Sequence, residues 1–347
     1  MSPLSAGPDA PEGPGALPRL DTIARDALPG YGIDPRAPLT LLNISENATY
    51  RVDDPATGRR TVLRVNRPGY HTREAIQSEL AWIAAIRGDG VLHTPQVVPT
   101  TTGEAVGSGQ HPDGERRHTV MFEFVTGHEP PEDRLVDDFV ELGVITARLH
   151  QHAKQWSRPA GFTRLTWDYA GSIGPAGHWG RWQDGLGMGA AERAQLDRLD
   201  QRLCERLARF GSGPDRFGLI HADMRLANLL VSGDGAVEPT DDQARVWVID
   251  FDDCGFGWFM YDLGSSLSFI EHYPTVPAMI DSWVTGYRTV AELSAEEEAE
   301  LPTFVLLRRL LLVAWIGSHA DTDLAQEMGP EYTRVSCDLA ESYLSTS

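Results

Sequence analysis

Four residues separate the carboxylate Asp223 from the amide Asn228 in Leu219-Ile220-His221-Ala222-Asp223-Met224-Arg225-Leu226-Ala227-Asn228-Leu229-Leu230-Val231. A loop of that length turns the chain so that the carboxylate faces a hydroxyl nucleophile while the amide oxygen faces a metal ion. Asp250 supplies a further hard oxygen where Val246-Trp247-Val248-Ile249 ends. Magnesium takes few protein ligands and fills its other positions with water and phosphate, so one amide and one carboxylate suffice. The chemistry open to these residues is metal-assisted phosphoryl transfer to a hydroxyl. Asp223 would be the base, His221 and Arg225 its catalytic neighbours, and Asn228 and Asp250 the metal ligands.

Either half alone is a weak signal, because an apolar strand ending in Asp is common. Together, each on its own apolar run and in this order, they form the His-x-Asp-x-x-x-x-Asn arrangement of protein-kinase-type enzymes. The flanking runs read as strand, loop, strand, turn, strand.

The elements that would position a nucleotide lie upstream. Leu39 to Val52 reads as a hairpin whose turn, Asn43 to Asn47, lies where phosphates would be covered. It has no glycine, so Ser45 and Asn47 are its candidate donors. A second hairpin turns at Asp53 to Gly58 and continues as Thr61-Val62-Leu63-Arg64-Val65. Arg64 occupies the place of a phosphate-gripping lysine; arginine is always charged and bidentate. Thr72 to Arg87 has apolar residues at helical spacing, and Glu79 in its middle is the candidate partner that orients Arg64. The strand Thr119 to Val125 leads into Gly127 and Pro130-Pro131. It reads as a hinge, with backbone groups at Glu123 and Val125 facing an adenine.

Beyond Asp133 the pattern becomes helical. Helices are expected at Leu135–His152, Ala190–Phe210, Ala278–Leu293, Ala295–Ser318 and Pro330–Leu344, with a loop-rich stretch from Ser157 to Gly189. The turn Ser232 to Arg245 is acidic, with Asp234, Glu238, Asp241 and Asp242, and reads as a solvated hairpin tip. Asp262 opens a helix where it would cap amides or brace the catalytic loop. Asp252, Asp253, Trp258 and Glu271 are the expected acceptor edge, and carboxylates beside an aromatic suit a hydroxylated amine. Arg225 either holds a substrate carboxylate or pairs with Asp252.

At 347 residues the chain is long enough for two lobes. The expected division is a flexible tail over 1–18, a nucleotide-covering lobe over 19–126 and a lobe with catalytic loop and acceptor site over 127–347. A formal charge of −20 disfavours nucleic acid as a partner and is compatible with a cationic substrate. The apolar run Leu306–Ile316 is interrupted by Arg308 and Arg309, so no membrane span is expected. The N-terminus lacks the basic start and apolar core of a secretory signal. Three widely spaced cysteines, Cys204, Cys254 and Cys337, argue against a disulfide framework, and a cytoplasmic location is expected. The chain's one lysine is Lys154, so a site that ordinarily uses lysine must use another residue.

From Leu39 to His319 these motifs resemble the aminoglycoside phosphotransferase and choline kinase superfamily. Leu42 to Val52 and Trp258-Phe259-Met260-Tyr261-Asp262-Leu263 look most like its branch containing stress response kinase A and type II homoserine kinases. The resemblance implies an α+β, bilobal protein-kinase-like fold with a small β-rich N-lobe and a larger, mainly helical C-lobe. It also implies ATP and Mg2+, and transfer of the γ-phosphoryl group to a small-molecule alcohol. An amino sugar, an aminoglycoside-like or nucleoside antibiotic, and a hydroxy amino acid all fit. Two other readings share the same residues: a Ser/Thr protein kinase, and a nucleotide-binding protein without catalysis.

Overall fold

Alternating apolar residues put Ala48, Tyr50 and Val52 on one face of a strand, and Leu63 and Val65 follow on its neighbour. The computed structural model describes residues 17–44, 47–131, 134–232, 245–320 and 322–346. Most of the expected tail, Ser45, and the acidic tip with Asp234, Glu238, Asp241 and Asp242 lie outside the described residues. Contacts divide the chain into two units. The first contains Met1–Gly88, Thr94–Thr126 and Pro159–Thr163; the second contains Asp89–His93, Gly127–Arg158 and Arg164–Ser347. The two short exchanged segments have no counterpart in the expected single boundary after residue 126.

The first unit is a mixed layer of sheet and helix. Strands β1 (Leu39–Ile44), β2 (Ala48–Asp53), β3 (Arg60–Val65), β4 (Val97–Val98), β5 (Gly107–Gln110) and β6 (Arg116–Glu123) pair in the order β1-β2-β3-β6-β4, with β5 also on β6. All of these pairings are antiparallel. Helix α1 (Leu17–Ala27) buries Leu20, Ile23, Ala24 and Ala27, one stripe at helical spacing, into the core with Tyr50, Val52, Leu63, Val65 and Met121. Helix α2 (Arg73–Gly88) buries Ile76, Glu79, Leu80, Ile83 and Ile86. The burial of a charged residue on that face marks it as paired.

The second unit is mainly helical. Its long helices are α3 (Leu135–Gln155), α5 (Ala190–Phe210), α7 (Val276–Arg288), α8 (Ala295–Ser318) and α9 (Asp323–Thr346), and α4 (Tyr169–Ser172) and α6 (Tyr261–Ser266) are short. Strands β9 (Leu229–Ser232) and β10 (Arg245–Val248) form an antiparallel pair. Strand β11 (Gly255–Trp258) lies between β7 (Thr166–Trp167) and β8 (Phe217–Ile220). Helices α3 and α7 pack backbone to backbone: a Cβ at Gly143 would strike the Trp283 carbonyl, and one at Gly286 the Val140 carbonyl. Helix α7 ends at Arg288, earlier than its pattern suggested, and α9 begins earlier, across a kink at Gly329 (φ 51°, ψ −155°) before Pro330.

Helix α8 is long and apolar enough to span a bilayer, yet 83% of its apolar window is buried inside the protein. It is therefore a core helix. Ser294 and Glu297 close its N-terminus as a reciprocal capping box.

Candidate active site

The catalytic loop leaves β8 at Ile220 and is held by side chains from α6. Asp262 accepts from the backbone N–H of His221 (3.1 Å) and of Ala222 (2.7 Å), and Ser265 Oγ accepts from Met224 N–H (3.0 Å). Asp262 therefore braces this loop. His150 of α3 meets the same carboxylate at 3.1 Å and the Tyr287 hydroxyl at 3.1 Å. Complete burial pushes the His150 imidazole below its usual range, against the raising effect of Asp262. Ala222 is thereby kept at φ +66°, a left-handed conformation that costs a non-glycine residue about 1–2 kcal/mol. Such strain persists only where the surroundings over-determine it.

His221 is fully buried, with its ring against Phe251 at 4.6 Å between centroids. Its Nδ1 accepts from Asp223 N–H (3.3 Å), so Nε2 carries the proton and donates to the Ile249 carbonyl (3.2 Å). Nδ1 thus closes the catalytic loop on itself, and Nε2 ties it to the segment that leads into Asp250. The expected catalytic neighbour is a brace.

Asp223 receives three side-chain donors. Asn228 Nδ2 donates to Oδ2 at 2.9 Å, Arg225 Nε to Oδ2 at 3.2 Å, and Arg308 Nη2 to Oδ1 at 2.7 Å. Burial alone would raise this carboxyl, but the charges of Arg225 and Arg308 outweigh it and hold it below the ordinary carboxylate range. Of the two partners expected for Arg225, a substrate carboxylate and Asp252, the second is corrected by the structure: its ion pair is with Asp223. A short 3-10 turn, Leu226–Asn228, sets the Asp223–Asn228 spacing.

Asn228 Nδ2 also donates to the Asp223 carbonyl at 2.7 Å, so the amide oxygen is the atom with which this side chain could hold a metal. Val248 pairs with Leu229, and Ile249 N–H donates to the Asn228 carbonyl at 2.9 Å. Asn228 and Asp250 therefore emerge at the same end of the β9–β10 pair. Asp250 is exposed, at φ +60°. One amide oxygen and one carboxylate fit a magnesium ion that draws its other ligands from phosphate and water. Arg164 holds the turn beyond Asp250 by donating to the carbonyls of Asp252 and Cys254.

In the first unit, Arg64 of β3 and Glu79 of α2 form a bidentate pair at 2.9 and 2.8 Å, with side-chain exposures of 7% and 0%. A fork-to-fork pair fixes the guanidinium plane. Asn47 Oδ1 accepts from Arg67 N–H at 3.0 Å, which holds the chain just ahead of β2. Glu123 N–H donates to the Gln96 carbonyl at 2.8 Å, and its side chain pairs with Arg59. That N–H is committed to the sheet, so of the backbone groups expected at Glu123 the carbonyl is the one to which the expectation still applies. Val125 lies just past the end of β6, half-buried.

The expected acceptor edge is only partly assembled. Trp258 is buried on β11, donates to the Gly211 carbonyl at 2.8 Å and stacks edge-on to Phe217, so it is a core residue. Glu271 has a fully buried side chain, with Arg309 Nη1 at 2.7 Å and the Tyr332 hydroxyl at 3.2 Å. Its charge is neutralised within the fold. Asp252 is buried beside Phe251 and Arg164, and the Asp253 carbonyl accepts from Trp167 Nε1 at 2.8 Å. The residue that sequence reasoning missed is Arg308, whose only signal was a charge inside an apolar run.

These arrangements meet their likeness in known proteins. The solved microcompartment-associated aminopropanol kinase is 49% identical, with a TM-score of 0.85 over 94% of this chain and 98% of that one. The amicoumacin kinase hAmiN, solved with AMP-PNP, Ca2+ and Ami, has the same fold at 21% identity, with a TM-score of 0.70 over 93% of this chain and 92% of that one. The amicoumacin kinase of Bacillus subtilis (strain 168) is 23% identical over 263 residues, 72% of each chain. Residues 40–299 match the phosphotransferase enzyme family, a span that contains the Arg64–Glu79 pair, the braced catalytic loop and Asp250. By that match the chain belongs to the phosphotransferase enzyme family.

Proposed function

We propose that this phosphotransferase moves the γ-phosphoryl group of ATP to the hydroxyl of a short amino alcohol of the aminopropanol type. The observation that carries the reading is the 49% identity, over nearly the whole chain, to the aminopropanol kinase. The acidic chain, at −20 formal charge, suits a cationic acceptor. ATP and the cytoplasm that supplies it are part of the same proposal.

Asp223 is the base. A carboxyl held below its ordinary range is a poor acceptor for the proton of a resting alcohol, so its first task is to orient the hydroxyl. The oxygen–phosphorus bond forms as the bond from the γ-phosphorus to the β-bridging oxygen breaks. ADP leaves with that electron pair, and the hydroxyl proton, made acidic by bonding to phosphorus, passes to Asp223. Asn228 and Asp250 would hold magnesium, which neutralises charge on the phosphates. Arg64, oriented by Glu79, would bind phosphate oxygens, and Lys154 is elsewhere employed, its ammonium 4.5 Å from the Phe259 ring centroid. Asn47, Val125 and the Glu123 carbonyl are the proposed nucleotide neighbours.

The test is an ATP-consumption panel with magnesium over aminopropanol, ethanolamine, an aminoglycoside, a serine-containing peptide and uncharged polyols. Aminopropanol should be phosphorylated fastest. Turnover of polyols with amines ignored would overturn the acceptor class, and turnover of the peptide alone would move the protein to the protein kinases.

A further inference from the structure

Arg308 comes from the middle of α8, 85 positions from Asp223 in sequence, and its side chain is 3% exposed. Every nitrogen of its guanidinium has a target. Nη2 donates to Asp223 Oδ1 at 2.7 Å and Nε to Ser268 Oγ at 2.9 Å; Nη1 donates to the Ala222 carbonyl and the Tyr261 hydroxyl, each at 3.3 Å. The Trp179 ring covers the group, its centroid 4.9 Å away. The neighbouring Arg309 is equally buried but serves Glu271, Ser336 and Tyr332, none of them in the catalytic loop. Of two adjacent arginines on one helix, one closes a structural ion pair and the other grips the loop that carries the base.

Burying a guanidinium against a carboxylate seldom adds net stability, because desolvation of both ions offsets their attraction. The return must lie in what the pair does to Asp223. Arg308 occupies Oδ1 and also the carbonyl of Ala222, the strained residue just before the base. Oδ2 has different partners, the amide of Asn228 and an Arg225 side chain that is 33% exposed and can exchange with an incoming hydroxyl. We infer that Arg308 is a positioning residue for phosphoryl transfer: it locks Asp223 through Oδ1 and so presents Oδ2 to the acceptor hydroxyl. The inference rests on the reading of Asp223 as the base.

A purely structural arginine and a positioning arginine differ in how the loss on removal divides between kcat and KM. Removing an arginine that only supports the fold lowers the amount of folded enzyme and leaves the turnover of each folded molecule alone, whereas removing one that aims the base lowers kcat of the folded enzyme with KM for ATP unchanged. The experiment measures kcat per folded enzyme and both KM values for Arg308→Met, Arg308→Lys and Asp223→Asn in the full chain. The acceptor is aminopropanol or the best acceptor of the panel above.

Arg308→Met should lower kcat about 100-fold, the lower end of what a positioned base supplies, with KM for ATP nearly unchanged. Arg308→Lys, which keeps the charge and loses the fork, should restore only part of kcat. A folded Arg308→Met with wild-type kcat, or one whose loss lies in KM for ATP, overturns the inference. If Arg308→Met does not fold, Tyr261→Phe carries the test, since it removes one partner of the guanidinium and leaves its charge. A three- to tenfold fall in kcat, about one hydrogen bond, is expected, and wild-type kcat overturns the inference. Turnover retained by Asp223→Asn would instead defeat the base reading itself; an inactive Asp223→Asn beside a wild-type-like Arg308→Met defeats only the role of Arg308.

Discussion

Each unit of the protein buries an arginine against a carboxylate near the candidate site, Arg64 with Glu79 in the first and Arg308 with Asp223 in the second, and these two pairs are built differently. Arg64 and Glu79 are 15 positions apart and close on each other, two nitrogens to two oxygens. Arg308 and Asp223 are 85 positions apart, and Asp223 shares its oxygens with Asn228 and Arg225 as well. A closed pair fixes one guanidinium. An open one fixes a carboxylate while leaving an oxygen whose partner can change. The closed pair suits a cation that receives phosphate, and the open pair suits a base that receives a proton.

The largest expected effect tests the open pair. Asp223→Asn should cut turnover about 10²- to 10⁴-fold, the range of general-base catalysis, while nucleotide affinity measured by calorimetry stays close to wild type. Asp250→Asn should weaken magnesium–nucleotide binding together with turnover. Equal loss of nucleotide affinity in both variants would erase the distinction between base and ligand.

Glu79→Gln attacks the closed pair. Removing one member of a buried ion pair leaves an uncompensated charge and costs about 3–5 kcal/mol of stability, read as a lowered midpoint in denaturant. KM for ATP should rise at the same time, because the guanidinium loses its orientation. A stable variant with an unchanged KM would mean that Arg64 plays no part in nucleotide binding.

The two pairs also differ in how far sequence reveals them. Arg64 and Glu79 sit on a strand and the helix after it, and the family resemblance offers Glu79 as the partner of Arg64. Asp223, Asn228 and Asp250 are likewise legible, since a short loop and a single β-pair bring them to one end. Arg308 is not, because its contact depends on how α8 crosses behind α6, and no local pattern encodes that crossing. Two residues of the expected acceptor edge, Trp258 and Glu271, lie elsewhere for a related reason. Nearness to Asp250 in sequence placed Trp258 and Glu271 beside the base, but β11 turns Trp258 into the core and Glu271 finds Arg309 on α8.

That correction is itself testable at smaller cost. Trp258→Phe removes the indole N–H from the Gly211 carbonyl and leaves a small void next to Phe217 and Phe304. A loss of about 1–3 kcal/mol is expected from the hydrogen bond and the packing together, with KM for the acceptor unchanged. A selective rise in that KM would return Trp258 to the acceptor site.

The smallest effect is a pH dependence that compares the units once more. His150 in the second unit and His118 in the first are both held below the usual imidazole range, chiefly by burial, which is complete for His150 and partial for His118. Each binds its proton more readily in the unfolded chain. Each therefore contributes stability that is present above the unfolded value, about 6.5, and is lost as pH falls from there. Around His150, Asp262 and Glu297 favour the proton while Lys154 opposes it, and desolvation decides the sign. A single group changes stability by at most about 1.4 kcal/mol per pH unit. Asp223, whose carboxyl is depressed, has the same sign but acts only below about pH 4, so the two windows separate. Denaturant midpoints between pH 7 and pH 5 should fall with acidification, and His150→Asn should flatten that slope more than His118→Asn. An unchanged slope in His150→Asn would mean that His150 does not titrate on unfolding, and that Asp262 braces the catalytic loop without a neutral imidazole behind it.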